Sequence, residues 1–172
     1  MMRIRKSRKA DFPILLAIIN DAALAYRGVI PEDCWQDPYM PRDALQQDIA
    51  DGVVFWVAEE NRQPEGVMGM QDRGEVVLVR HAYVAPVSQG KGVGTMLLRH
   101  LEALAAKPVL IGTWSDATWA IKFYQRNGYG IVPAQHGSAL LQKYWSVPAR
   151  QIETSVVLAD ARAMQWIGEE KT

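Results

Sequence analysis

Cysteine is almost absent. Cys34 stands alone, so the chain can close no internal disulfide and offers no cysteine cluster for zinc. Histidine is scarce too. His81, His100 and His136 are scattered along the chain, and no metal site is expected. No apolar run reaches the ~18 residues that a bilayer span needs, and the first residues lack the apolar stretch of a signal peptide. No membrane partner is expected, and the cytoplasm is the expected compartment. Charge of one sign is not in excess either: 19 basic residues face 19 acidic ones. A nucleic-acid partner, which needs a basic surface, is not expected. The one basic run, Arg3, Arg5, Lys6, Arg8 and Lys9, reads as a solvated strand face. No internal repeat, low-complexity segment or long linker divides the 172 residues. One domain over 1–172 is expected, with its core at about 2–160 and a tail or short helix at 161–172.

What is present is regular patterning. Residues 2–8 alternate as a strand. Asp11 stands where an N-cap would, with Pro13 in the first turn of a helix that runs to about Tyr26. A second helix is expected from about Met40 to Ala50, with Leu45 and Ile49 inward. Strands at 53–59 and 66–71 follow, joined by a turn at 61–64, and Asp72-Arg73-Gly74 turns into a third strand at 76–84. These make an antiparallel meander. The chain then changes character. Strand 76–84, helix 93–106 and strand 109–114 form a βαβ unit, whose crossover should be right-handed. The buried face of that helix reads as Val93, Met96, Leu97, Leu101, Leu104 and Ala105. Ser115 or Asp116 is the expected cap of a further helix that stops at Asn127-Gly128. A short strand at 129–132, a partly helical stretch at 137–145 and a last strand at 154–159 complete the expectation of an α/β fold: a mixed, mostly antiparallel sheet with helices on both faces.

The chemistry is concentrated where the strand 76–84 ends. Gln89-Gly90-Lys91-Gly92-Val93-Gly94-Thr95 leads straight into a helix. Glycines bring bare backbone close to a ligand, and a helix start aims several N–H groups and the positive end of the helix dipole at one spot, so the loop reads as a phosphate site. It is not a Walker loop, because Lys91 is followed by Gly92. It is not the dinucleotide fingerprint, because Thr95 stands where the third glycine belongs. Gln89-x-x-Gly92-x-Gly94 after Tyr83-Val84-x-Pro86 resembles the acetyl-CoA pyrophosphate loop of the GNAT superfamily of N-acetyltransferases. Trp119-Ala120-Ile121-Lys122-Phe123-Tyr124-Gln125-Arg126-Asn127-Gly128-Tyr129 resembles the next motif of the same family, in the same order and at the right distance.

The resemblance implies the GNAT fold, with acetyl-CoA as the acyl-donor cosubstrate entering where the strands 76–84 and 109–114 splay apart. It implies a cofactor site made of the backbone of Ala82, Tyr83 and Val84, the loop from Gln89 through Gly90, Lys91, Gly92, Val93 and Gly94 to Thr95, and Phe123 and Tyr124 of the second motif. It also implies that Tyr124 is the acid that protonates the leaving thiolate. The other reading of Phe123-Tyr124 is an aromatic pair packing the core. Ala117 stands where many members carry an asparagine that contacts the cofactor, which leaves that polar contact to Ser115, Thr118 or water.

An amine must be neutral to attack a thioester, so a base is useful. His81 lies on the central strand and its ordinary pKa of ~6.5 suits the task. The other reading is a structural strand histidine, with Glu32, Asp33, Asp72 or a water relay as the route instead. Trp35 and Trp145 lie in irregular segments, where binding residues concentrate. With Tyr26, Arg27 and Tyr39 they are the candidate acceptor pocket, for an amine with an apolar or aromatic part. The expected activity is acetyl transfer from acetyl-CoA to a primary amine of a small molecule. The alternatives are acetylation of a protein lysine or N-terminus, a non-catalytic acyl-CoA sensor, and an interaction protein that merely keeps the fold. Dimers are common in the family, and the resemblance makes a homodimer an option, with residues 152–159 in its interface.

Overall fold

The computed structural model describes residues 1–169. Among the described residues, seven strands run in one mixed sheet in the order β1 (Met2–Lys6), β2 (Val54–Glu60), β3 (Gln63–Asp72), β4 (Val77–Val84), β5 (Val109–Trp114), β7 (Ser155–Ala159) and β6 (Gly130–Ile131). The chain forms two compact units. The first comprises Met1–Arg27, Gln36–Asp72 and Val79–Leu104; the second comprises Gly28–Trp35, Arg73–Leu78 and the chain from Ala105 on. Among the described residues no helix is long and apolar enough to cross a membrane.

In the first unit, β1 (Met2–Lys6), β2 (Val54–Glu60) and β3 (Gln63–Asp72) pair antiparallel. The β2–β3 turn is tighter than the sequence suggests. Only Asn61 and Arg62 lie outside the strands, both left-handed, with φ of 51° and 65°. Helices α1 (Phe12–Ala23) and α2 (Arg42–Ala50) cover one face. Leu15, Ile18, Ile19 and Leu45 pack there on Phe55, Val57 and Val67. Trp56 points the other way, as strand alternation requires, and meets His100 of α3 (Val93–Leu104) at 4.6 Å between ring centroids. Two assigned faces need correction. Ile49 of α2 is exposed, and Leu45 alone of that pair is buried. In α3, Met96 and Leu104 are exposed and Leu98 is buried instead. Three apolar positions per two turns suffice for a face this narrow.

Asp11 is the N-cap residue of α1, as expected, but makes no side-chain cap bond there. Its carboxylate instead accepts from Arg5 Nη1 and Nη2 at 2.8 and 3.0 Å and from the Arg8 amide at 2.6 Å. Arg5 also donates to Glu59 at 3.0 Å. The basic run is therefore not uniformly solvated, because two carboxylates draw Arg5 against the sheet.

In the second unit, β7 (Ser155–Ala159) pairs antiparallel with both β5 (Val109–Trp114) and the short β6 (Gly130–Ile131). Helix α4 (Thr118–Arg126) precedes β6. Neither Ser115 nor Asp116 caps it: Ala117 is the N-cap residue and the turn into the helix is made by backbone, Ala117 N–H to Trp114 O at 3.0 Å. The stretch expected as partly helical is a full helix, α5 (Ala134–Tyr144). A short α6 (Ala149–Glu153), which the sequence did not suggest, follows it. Of the two options for 161–172, the short helix is the one formed, α7 (Ala161–Glu169); residues 170–172 lie outside the described residues. Leu110, Leu140, Leu141, Tyr144, Val157, Ala163 and Ile167 form the core of this unit.

Candidate active site

The strand β4 (Val77–Val84) is buried at its start and half-buried from Arg80 on. It does not run straight. His81 has φ of 54°, a left-handed conformation that costs a non-glycine residue on the order of 1 kcal/mol or more. Consecutive strand residues ordinarily point to opposite faces. Here Arg80 and His81 both reach one carboxylate: Asp48 Oδ2 lies 2.7 Å from His81 Nε2, and Asp48 Oδ1 lies 3.6 Å from Arg80 Nη1. Arg80 also donates to Gln71 Oε1 at 3.2 Å. The His81 ring is stacked on Phe55, 5.9 Å between centroids with 22° between planes.

Two glycines of β3 make room for this strand. A Cβ on Gly69 would stand 2.9 Å from the Arg80 carbonyl oxygen and 2.8 Å from Val53 Cγ1. A Cβ on Gly66 would stand 3.3 Å from the Tyr83 carbonyl and 3.0 Å from Val93 Cγ1. Asp48, Gly66 and Gly69 are thus parts of the site that sequence reasoning missed. Asp48 is one of several polar residues of α2, with no local sign of a partner 33 positions away, and glycines in a strand carry no sign of what approaches them.

Burial pushes the His81 pKa down, and the Arg80 charge adds to this against the opposing pull of Asp48, so the ring stays below its ordinary value. For Asp48, burial acts upward, but the His81 hydrogen bond and the charges of His81 and Arg80 outweigh it and hold the carboxyl below its ordinary value.

Tyr83, two residues on, turns its ring into the first unit. It meets Tyr26 at 6.3 Å and Tyr39 at 6.5 Å, both edge to face. All three are half-buried. Two of the candidate acceptor residues are therefore brought together, with a third tyrosine between them. Arg27, which follows the 3-10 turn Leu24–Tyr26, is exposed. Trp35 and Trp145 belong to the second unit. Trp145 lies over Gly112, where a Cβ would be 3.2 Å from its Cζ2.

Beyond β4, Ala85 N–H bonds Glu65 O at 2.8 Å and a 3-10 turn spans Pro86–Ser88. Ala82 and Val84 stay half-buried on the strand. Gln89 folds its amide back to the Val84 carbonyl at 3.3 Å. Gly90 and Gly92 then take φ of 81° and 80°, which side-chain-bearing residues adopt at a cost. The first bond of α3 runs from Met96 N–H to Gly92 O at 3.1 Å. The amides of Val93, Gly94 and Thr95 therefore precede the helical ladder. Val93 is buried and anchors the helix start, while Lys91 is exposed. Gly94 is not left-handed, so two of the three glycines shape the loop.

In the second unit, Tyr124 of α4 is 7% exposed. Its ring lies between Phe123, at 5.1 Å, and Tyr129, at 6.1 Å. The helix stops just behind it. Asn127 and Tyr129 both donate backbone N–H bonds to Tyr124 O at 3.0 Å, and Gly128 has φ of 94°. This αL stop fixes the end of the helix that carries Tyr124. Ala117 is fully buried.

Residues 51–131 match the family model described as acetyltransferase (GNAT) domain. No curated protein matches the chain. Among solved structures it is similar to the PaiA N-acetyltransferase from Thermoplasma acidophilum in complex with coenzyme A, at 16% identity over 93% of this chain and 98% of that one, with a TM-score of 0.70. It is also similar to the ribosomal-protein-S18-alanine N-acetyltransferase from Escherichia coli, at 16% identity over 93% of each chain, TM-score 0.66, and to the apo form of YjaB from Escherichia coli, at 22% identity over 94% and 98%, TM-score 0.61. These likenesses show the fold.

Proposed function

We propose that this chain, an acetyltransferase with a GNAT domain over residues 51–131, transfers the acetyl group of acetyl-CoA to a primary amine of a small molecule, and that it works as one catalytic domain. The observation that carries the reading is the loop at Gly90 and Gly92, both left-handed, which opens α3 with three amides ahead of the helical ladder. Such a loop suits a pyrophosphate, and the neighbour from Thermoplasma acidophilum is a coenzyme A complex. His81 is the base that keeps the amine neutral, and its depressed pKa suits a group that rests unprotonated near neutral pH. Tyr124 is the acid for the leaving thiolate; the αL stop behind it and the flanking rings hold it in one place. The half-buried tyrosines 26, 39 and 83 favour an acceptor with a flat apolar part over an extended peptide.

Calorimetric titration with acetyl-CoA, with CoA and dephospho-CoA as controls, tests the cofactor site. A screen of amines and short peptides by free-thiol release then tests the acceptor. Saturable 1:1 binding and turnover of an arylalkylamine are expected. Turnover of peptides alone would place the acceptor on a protein. Tyr124→Phe should lower kcat roughly 10- to 100-fold and leave acetyl-CoA affinity within twofold, because an acid acts on the leaving group in the transition state. Unchanged kcat would remove Tyr124 from the mechanism.

A further inference from the structure

Two neighbouring side chains of one strand converge on a single carboxylate in the first unit. His81 turns left-handed in mid-strand, and the turn brings its Nε2 to 2.7 Å from Asp48 Oδ2. What holds it is on three sides: Asp48 from α2, the Phe55 ring stacked from β2, and Gly69 of β3, whose missing Cβ leaves the space that the Arg80 carbonyl fills. Among the described residues Nδ1 of His81 makes no hydrogen bond.

An ionised carboxylate only accepts, so the nitrogen facing Asp48 must carry the proton. That leaves Nδ1 with its lone pair. We propose that Asp48 is a positioning residue for the transfer reaction: it fixes the ring and the Nε2–H tautomer of His81, so that Nδ1 receives the proton of the incoming ammonium. This rests on the reading of His81 as the base. The balance is simple. The ammonium gives one proton to Nδ1, and the neutral amine forms the C–N bond as the C–S bond breaks. The thiolate takes up the proton that the new amide nitrogen gives up, and the imidazolium returns its proton to water. While the ring is charged, Asp48 is its counter-ion at 2.7 Å, and Arg80, 3.6 Å from the same carboxylate, favours its return to neutrality. Asp48 and Arg80 are the charged groups facing His81; Phe55 is apolar, and Gln71 reaches the cluster through Arg80.

The test has two arms. Long-range nitrogen–proton correlation spectra of the histidines report the tautomer without any acceptor. The wild type should show Nε2–H at His81, and Asp48→Asn, folded by circular dichroism, should lower the His81 titration midpoint by about one unit. An Nδ1–H tautomer in the wild type overturns the proposal whatever the activity. In the second arm, kcat/KM is followed against pH with acetyl-CoA and the amine that turns over fastest in the screen. Asp48→Asn should lower the plateau roughly 10- to 100-fold and move the acidic limb to lower pH, with partial recovery in Asp48→Glu. A lower plateau with an unmoved limb would reduce Asp48 to a structural role. A loss in His81→Gln with Asp48→Asn unaffected overturns the proposal alone. Full activity in His81→Gln instead removes His81 as the base, and the proposal with it.

Discussion

Asp11 has the sequence position of a helix cap and the chemistry of a buried counter-ion. Arg5, fixed on β1, offers a two-pronged guanidinium within reach, and a bidentate charged pair outcompetes a single cap bond. The Arg5 hydrogen bonds lead the causes that hold the Asp11 carboxyl at about 2 against an ordinary 3.8. A depressed carboxyl stabilises the fold fully above its unfolded pKa and loses that contribution as pH falls through the folded one. Asp11 should therefore contribute roughly 1–2 kcal/mol at neutral pH, lost between about pH 4 and 2. Urea denaturation at stepped pH should show that loss in the wild type and not in Asp11→Asn. At Gly112 the prediction is steric. A Cβ there meets the Trp145 indole at 3.2 and 3.3 Å, so Gly112→Ala should cost about 1–3 kcal/mol by overpacking. The double variant with Trp145→Ala should cost less than the sum of the singles, which a double-mutant cycle in urea reads directly.

The decisive element is the junction of β4 and α3. Gly92 accepts the first bond of α3 while holding φ at 80°. A β-branched side chain in that conformation strains the loop and stands where a diphosphate would approach the amides of Val93 to Thr95. Gly92→Val should weaken acetyl-CoA binding tenfold or more by calorimetry. Its kcat at saturating cofactor should fall far less than that of Tyr124→Phe, because in the proposed function the loop holds the cofactor and Tyr124 acts on the leaving group. β3 serves the same junction from below. Gly66 and Gly69 clear the Tyr83 and Arg80 carbonyls, so the bend at His81 depends on what its neighbouring strand leaves out.

At the scale of the molecule, two of the cores among the described residues show what the sheet supports. One joins α1 and α2 to β2 and β3, the other joins α5 and α7 to β5 and β7. A cofactor that binds only the folded chain stabilises it by mass action. Acetyl-CoA at 100 times its Kd should add about 2.7 kcal/mol, which for a chain of 172 residues raises Tm by roughly 5–11 °C. Differential scanning fluorimetry checks this, and a flat response to acetyl-CoA and CoA alike would remove the glycine loop as a cofactor site.

The sequence alone determined the order of the elements, the glycine loop and its helix, and the αL stop at Asn127-Gly128. These depend on local chemistry: glycine tolerates positive φ, apolar residues recur at helical or strand spacing, and two short motifs keep their order. It also singled out His81 and Tyr124. It left open how far α5 extends and whether residues 161–169 form a helix or a tail, because short amphipathic runs become helices only when a sheet offers them a face. Nor could it find the partners of residues far apart in the chain. Asp48 meets His81 across 33 positions, Arg5 chooses Asp11 over solvent, and Gly69 is needed only because the Arg80 carbonyl arrives beside it. Such choices are made by distance in space, where a 2.7 Å hydrogen bond or a missing Cβ outweighs local preference, and only the tertiary structure decided them.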